Sequence, residues 1–269
     1  MSVPNESSTA NVSRSIWAAC LPAALVGLAS LLLWEAAVRY WQLPRILLPS
    51  PVEVARAAWD ERDALWRGSL ITGAAALFGL LLAVFAGTLV AILFSQSRWL
   101  RTAFYPYVIF LQTVPIVAIA PLLITWSGYR FRTVILVVAI ISLFPIVSNV
   151  TAGLMSIDRN LLDLHRLYGA GRWQVLRGLR IPTAIGYLVL GLRISGGLAV
   201  IGAIVGEFFV GNGTSYDGLG TLMTGWQARQ RTDALMAAVG ASTILGVAMF
   251  ALINGLSGRW LRRWIPATH

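Results

Sequence analysis

The sequence predicts an all-α polytopic membrane protein with six transmembrane helices and a helical loop between the fourth and fifth. Three observations carry this. Of the 269 residues, 57% are apolar and only 12% charged, about half the charged share of soluble domains. The apolar residues gather into six runs, each near the roughly 20 residues that cross a hydrocarbon core. The arginines lie almost entirely between those runs.

Residues 1–15 read as a flexible tail: the first 13 are polar and carry no basic side chain. The first span, 16–38, is longer than the apolar core of a secretion signal, so it reads as a retained helix. Residues 39–69 form a connector. Its LPRILLPSP stretch is punctuated by proline, which disfavours one continuous helix. The following VEVARAAWDERDALWRGS is helical in pattern and suits either a membrane-surface helix or contact with a soluble donor. The remaining spans are 70–94, 103–126, 133–155, 183–205 and 234–256, so that 70–256 forms a five-helix core. Pro22, Pro106, Pro115, Pro121 and Pro145 fall within or near spans, where each removes a helix donor and can kink its helix. Residues 207–233 are rich in glycine and polar side chains, fitting a structural loop, a lid or a gate. Residues 257–269 form a basic tail.

Arginine bias sets the orientation. With the N-terminus cytoplasmic, cytoplasmic segments hold 11 arginines against three acids, and outer segments nine against eight, with Arg193 inside a span. Both termini are therefore expected in the cytoplasm. All 21 basic residues are arginine. A phosphate-binding P-loop needs its lysine, so the usual P-loop ATPase is excluded. Scattered arginines also argue against nucleic acid. Cys20 is the one cysteine, which rules out an intrachain disulfide. Neither His165 nor His269 has metal-ligand company.

The segment 156–182 is the long polar interruption of the second half and carries five arginines. Ile157, Leu161, Leu164 and Tyr168 recur at helical spacing and make one apolar stripe, with Leu167 beside it. Asp158 is placed to cap this helix and Gly169 to Gly171 to end it. RWQVLRGLR restarts a basic segment, and Pro182 precedes or opens the fifth span. An apolar knob on a short helix fits a groove in a partner. A membrane-surface helix steered by lipid charge fits the same spacing.

Within this segment, DLHRLYG places Asp163, Leu164 and His165 where binding-protein-dependent permeases carry Glu-Ala-Ala. Gly169 matches their loop glycine, Pro182 their closing proline, and GAGRWQ their Gly-Ala-Ser-Arg-Trp-Gln. The chain resembles the inner-membrane permease subunits of ABC importers. It departs from their pattern in losing both alanines and in carrying Arg180 where an apolar residue is usual. LPSPVEV at 48–54, TVPIVAIAPLLITWSG at 113–128, VIGAIVGEFFVG at 200–211 and GLGTLM at 218–223 extend the likeness over residues 44–256. They resemble the nitrate, sulfonate and taurine branch, which includes permeases for thiamine precursors and riboflavin-like solutes.

The resemblance implies a type I importer fold and a homodimer of permeases forming the path. Two ATPase subunits, which use ATP and magnesium, would bind the cytoplasmic loops. An extracytoplasmic binding protein would deliver solute, and this chain would bind no cofactor. The coupling unit would be 158–171, with Asp163, Leu164, His165, Arg166, Leu167, Tyr168, Gly169, Ala170, Arg172 and Pro182 as its residues. Arg166 and Arg172 would meet either acidic partner groups or lipid.

Gln112, Thr113, Ser142, Ser148 and Asn149 are polar positions within spans, suited to a path or to satisfied packing. Arg193 lies well inside the bilayer, where it suits an anion path, snorkelling or burial against a partner. Glu207 sits at the end of the fifth span, where a charge is costly and often functional. It would receive solute, position the glycine-rich loop or pair with another helix. A self-contained secondary transporter is the competing function. It would need internal ionisable groups, of which Arg193 stands alone. No paired histidines, thiols or acidic cluster support a membrane enzyme.

Overall fold

The computed structural model describes residues 7–210 and 217–264, with side chains from 21, 22, 24–210 and 217–258. Residues 1–6, His269 and the side chains of Arg14, Cys20 and the arginines of the C-terminal tail lie outside what is described, and so do the expectations that fall on them. All regular structure among the described residues is helical. The order is α1 (Ser7–Tyr40), α2 (Pro51–Asp60), α3 (Arg62–Gln96), α4 (Arg98–Thr113), α5 (Ile116–Ser127) and α6 (Phe131–Met155). After them come α7 (Arg159–Leu167), α8 (Arg172–Val175), a π-helical turn (Leu176–Arg180), α9 (Ile181–Val210), α10 (Leu219–Ala228) and α11 (Thr232–Trp264).

Among the described residues, α3, α6, the stretch Arg172–Val210 and α11 are long and apolar enough to span a membrane. The bent pair α4 and α5 would make a fifth span. The expected tail over 1–15 overlaps α1 from Ser7, and the expected C-terminal tail overlaps α11 up to Trp264.

Four boundaries differ from the sequence expectation. The connector does not hold one surface helix. Ser50 caps α2 through a reciprocal box, its Oγ accepting from Glu53 N–H at 3.3 Å and its N–H donating to Glu53 Oε2 at 3.0 Å. A turn at Glu61 then starts α3, which runs 35 residues straight into the second span. The third span is two helices meeting at 100° around Pro115. Val114 is extended there, as the residue before a proline prefers. Pro106 and Pro145, by contrast, sit inside α4 and α6 without ending them.

Pro182 stands in the first turn of α9, as read, but no break separates it from the polar segment. Residues Arg172–Val210 form one 39-residue helical stretch. Pro182 has no N–H for the carbonyl one turn back, and the helix widens ahead of it, Ile181 N–H closing on Leu176 O. Finally, the glycine-rich segment after Glu207 contains a ten-residue helix, α10; its residues 211–216 lie outside the described residues.

Packing centres on α3, α6 and α9. Small residues on α3, including Ala75, Ala76, Gly79, Ala83 and Ala91, are buried. A Cβ at Gly79 would stand 2.4 Å from Val138 Cβ, so this glycine sets how closely α3 approaches α6. One core joins Ala76 and Leu80 of α3, Val134 and Val138 of α6, Ala199 and Ala203 of α9, and Ile253 of α11. A second, near the Glu207 end, joins Ala57 and Leu65 to Leu219, Met223, Trp226 and Ala238. A third, at the opposite end, fixes Leu176 and Ala184 against Ala91, Ile146 and Leu154. It roots the polar segment in the bundle.

Candidate functional site

The segment between α6 and α9 is built from local bonds. Asp158 caps α7, Oδ1 accepting from Asn160 N–H at 2.9 Å. At the other end Gly169 takes a left-handed conformation, φ 72°, which glycine adopts without a Cβ penalty. Ala170 N–H reaches His165 O at 3.0 Å and Gly169 N–H reaches Arg166 O at 2.9 Å. That pair of bonds is a Schellman closure. Gln174 Oε1 then accepts from Gly171 N–H at 2.7 Å, starting α8.

This frame leaves an apolar edge outward. Leu161 and Leu164 are half-exposed, and Leu167 and Tyr168 are 84% and 85% exposed. Asp163 and Arg166 pair at 3.4 Å, both two-thirds exposed, a contact worth little by itself. His165 sits inward of them, its Nδ1 3.0 Å from Leu161 O. Behind the helix, Arg166, Arg172 and Arg180 border a crevice of about 220 Å³ with Ser95, Leu162 and Ala170. Arg180 Nη1 donates to Ser95 O at the end of α3. Asp163 to Ala170 and Arg172 therefore form one unit. Pro182 lies away from it, inside the long helix.

At the other end of the bundle, Glu207 is fully buried. Its Oε2 accepts from Thr72 Oγ1 of α3 at 2.9 Å and from Gly220 N–H of α10 at 2.8 Å. Thr72 Oγ1 in turn accepts from Leu219 N–H at 2.9 Å. The carboxylate thus sits on the first turn of α10, where free N–H groups favour negative charge. A Cβ at Gly218 would stand 2.3 Å from the carboxyl carbon, and one at Gly220 2.7 Å from Glu207 Cβ.

Residues 75–266 match the model of the binding-protein-dependent transport system inner membrane component. The chain belongs to this family. Among its relatives, the permease is 35% identical over 257 residues to the riboflavin transport system permease RibX of Chloroflexus aurantiacus, covering 94% of this chain and 93% of that one. It is 31% identical to the formylaminopyrimidine transport permease ThiX of Halalkalibacterium halodurans, over 84% of this chain and 89% of that one. To the aliphatic sulfonates transport permease SsuC of Escherichia coli it is 30% identical, over 88% and 89%. Its fold is similar to a chain of the MetNI methionine ABC transporter, with TM-score 0.56 and 18% identity, covering 73% of this chain and 97% of that one.

The permease is therefore a multi-pass inner-membrane subunit of an ABC importer, working with an ATPase and a binding protein. It is not an enzyme; a separate ATPase hydrolyses the nucleotide. Among the described residues no group of His, Cys, Asp and Glu is arranged to hold a metal.

The six path candidates lie on three helices, α4, α6 and α9. Gln112 and Thr113 are exposed on the last turn of α4, Thr113 Oγ1 donating to Phe110 O at 2.8 Å. Ser142 is fully buried in α6; its carbonyl accepts from Ser195 Oγ of α9 at 3.1 Å. Asn149 is half-buried and returns its Nδ2 to Pro145 O at 2.8 Å. Arg193 is exposed near the middle of α9, about 21 Å along the axis from Glu207. Of the three readings open for Glu207, its burial and its bonds to α3 and α10 fit the positioning of the glycine-rich segment. Thr72 escaped sequence reasoning, because nothing local ties residue 72 to residue 207. The two glycines of GLG did carry a signal: backbone without Cβ beside a bulky buried group.

Proposed function

We propose that the permease forms, with a second copy of itself, the solute path of an ATP-driven importer, and that α7 is the element its two ATPase subunits grip. The supporting observation is the outward apolar edge of Leu161, Leu164, Leu167 and Tyr168 on a helix closed at both ends by its own bonds. Such an edge suits a helix-in-groove contact, and Arg166 and Arg172 beside it suit acidic groups of the partner. Asp163 to Ala170 are the contact, and Arg172 joins the crevice behind it. Pro182 contributes through the π turn.

The solute is a small organic molecule, a flavin or pyrimidine heterocycle before a sulfonate. The relatives named for riboflavin and formylaminopyrimidine transport support that order. Both termini and α7 lie on the cytoplasmic side, as the arginine bias supports. The permease binds no cofactor of its own, and ATP and magnesium act in the ATPase.

Reconstitution tests this directly. Liposomes holding the permease and its ATPase, given the binding protein outside and ATP inside, should accumulate riboflavin, a formylaminopyrimidine or an alkanesulfonate. Accumulation by the permease alone, without ATPase, would make it a secondary transporter and sink the proposal.

A further inference from the structure

At the end of the bundle that carries α7, an open cleft of about 410 Å³ lies between α4 and α6. Small-ligand sites span roughly 300–1,000 Å³. Arg101, Tyr105 and Pro106 line it from α4, and Ser148, Thr151 and Met155 from α6. None of these residues was singled out above for the coupling element.

The polar groups of this cleft are under-used. The Arg101 guanidinium finds the Met155 thioether, a weak acceptor for a charged five-donor group. Among the described residues no carboxylate pairs with Arg101. Thr151 is only 5% exposed, and its Oγ1 has no hydrogen-bond partner among the described residues. A buried hydroxyl left without a partner is costly, so such a position calls for a bond from outside the chain. The Tyr105 hydroxyl and Ser148 Oγ share one bond at 3.1 Å, which leaves both with spare capacity. Phe94 meets the Tyr105 ring in a T-shaped contact at 6.2 Å between centroids. Pro106 and Met155 add apolar surface.

We infer that this cleft is a solute-binding station on the importer's path, at the α7 end. It takes a small organic solute whose acceptor group, an anion or a ring carbonyl, sits on Arg101. Thr151 and the Tyr105–Ser148 pair supply further hydrogen bonds, and Pro106 and Met155 receive the apolar body. The inference rests on the importer reading above. It adds a residue set that reads the head group of the solute inside the membrane subunit.

The test uses the whole permease–ATPase complex in nanodiscs of zwitterionic lipid, with equilibrium dialysis against riboflavin, a formylaminopyrimidine and butanesulfonate in turn. At least one probe should bind the wild type. R101A should weaken it about 10- to 100-fold, the range for a lost bond to a charged group. T151V, nearly isosteric and safe for folding, should weaken it about 5-fold. R101Q distinguishes the two acceptor chemistries: it recovers affinity for a ring carbonyl and not for an anion, and either result supports the station. Wild-type affinity in both R101A and T151V overturns it, as does failure of all three probes to bind. Loss of probe binding when anionic phospholipid replaces the zwitterionic lipid, in wild type but not in R101A, assigns the cleft to a lipid phosphate and overturns it too. ATP-driven uptake at an unchanged KM in R101A sinks the station and leaves the importer standing. Absence of ATP-dependent uptake in the wild type sinks the importer reading itself.

Discussion

The carboxylate of Glu207 accepts the hydroxyl of Thr72 at 2.9 Å across 135 residues of sequence. This single bond joins the end of α9 to α3, and the same Thr72 oxygen takes the N–H of Leu219. Three helices meet in a few atoms, all buried. In a membrane core there is no water to replace any of these partners.

Removing one partner should therefore cost more than a surface bond. T72V keeps the shape and leaves Glu207 Oε2 and Leu219 N–H each short of a bond. It is expected to lower stability by about 1–3 kcal/mol, read as a lower midpoint of thermal unfolding in detergent. E207Q keeps one acceptor oxygen and should be milder than E207A. Equal stability of E207A and wild type would remove the anchoring role.

The glycines of α10 make a sharper pair of tests. G218A and G220A each place a methyl within 2.3–2.7 Å of Glu207, so both should lose folded protein on expression and size-exclusion. G225A, on the same helix with nothing within 4 Å of the new Cβ, should be neutral or stabilising by about 0.5–1 kcal/mol. If all three behave alike, the close approach is not what holds α10.

The apolar edge of α7 predicts the opposite separation. Leu167 and Tyr168 are nearly fully exposed, so L167S/Y168S should change stability by no more than the ±0.5 kcal/mol typical of surface changes. The same variant should lose co-purification of the ATPase, because truncated anchors at an interface centre cost ~2 kcal/mol or more. Retained ATPase binding would reassign this edge.

Gly169 at φ 72° is a different kind of position. G169A meets open space and carries only the left-handed conformational cost, about 1 kcal/mol. The expected result is partial ATPase binding and reduced coupling of hydrolysis to uptake. G169P also removes the N–H that reaches Arg166 O and should abolish coupling, with the spans still inserted by protease-accessibility mapping.

What could be read from the sequence was local. The Asp158 cap, the Gly169 turn and the stripe of Leu161, Leu164 and Tyr168 depend on residues within two helical turns, and each appears in the structure. Pro115 was readable as a kink, yet its size was not, because the angle depends on how α4 and α5 pack against α6. Pro182 was readable as the opening of α9, but the π turn that joins it to α8 without a break was not. The fusion of the connector with the second span hid because Arg62–Ser69 is polar while still helical. Thr72 and the Arg101–Thr151 cleft belong to contacts between distant helices, which no periodicity records.

The unbroken run from Arg172 to Val210 has a mechanical corollary. Its 39 residues make a rod of about 58 Å, rooted by Leu176 beside the α7 unit and ending on Glu207, which holds α10. A tilt imposed at the basic end is delivered along one helical stretch to the turn that seats Gly218 and Gly220. The widened turn before Pro182 is the one compliant link along the shaft, so it sets how much of a push at one face of the membrane arrives at the other.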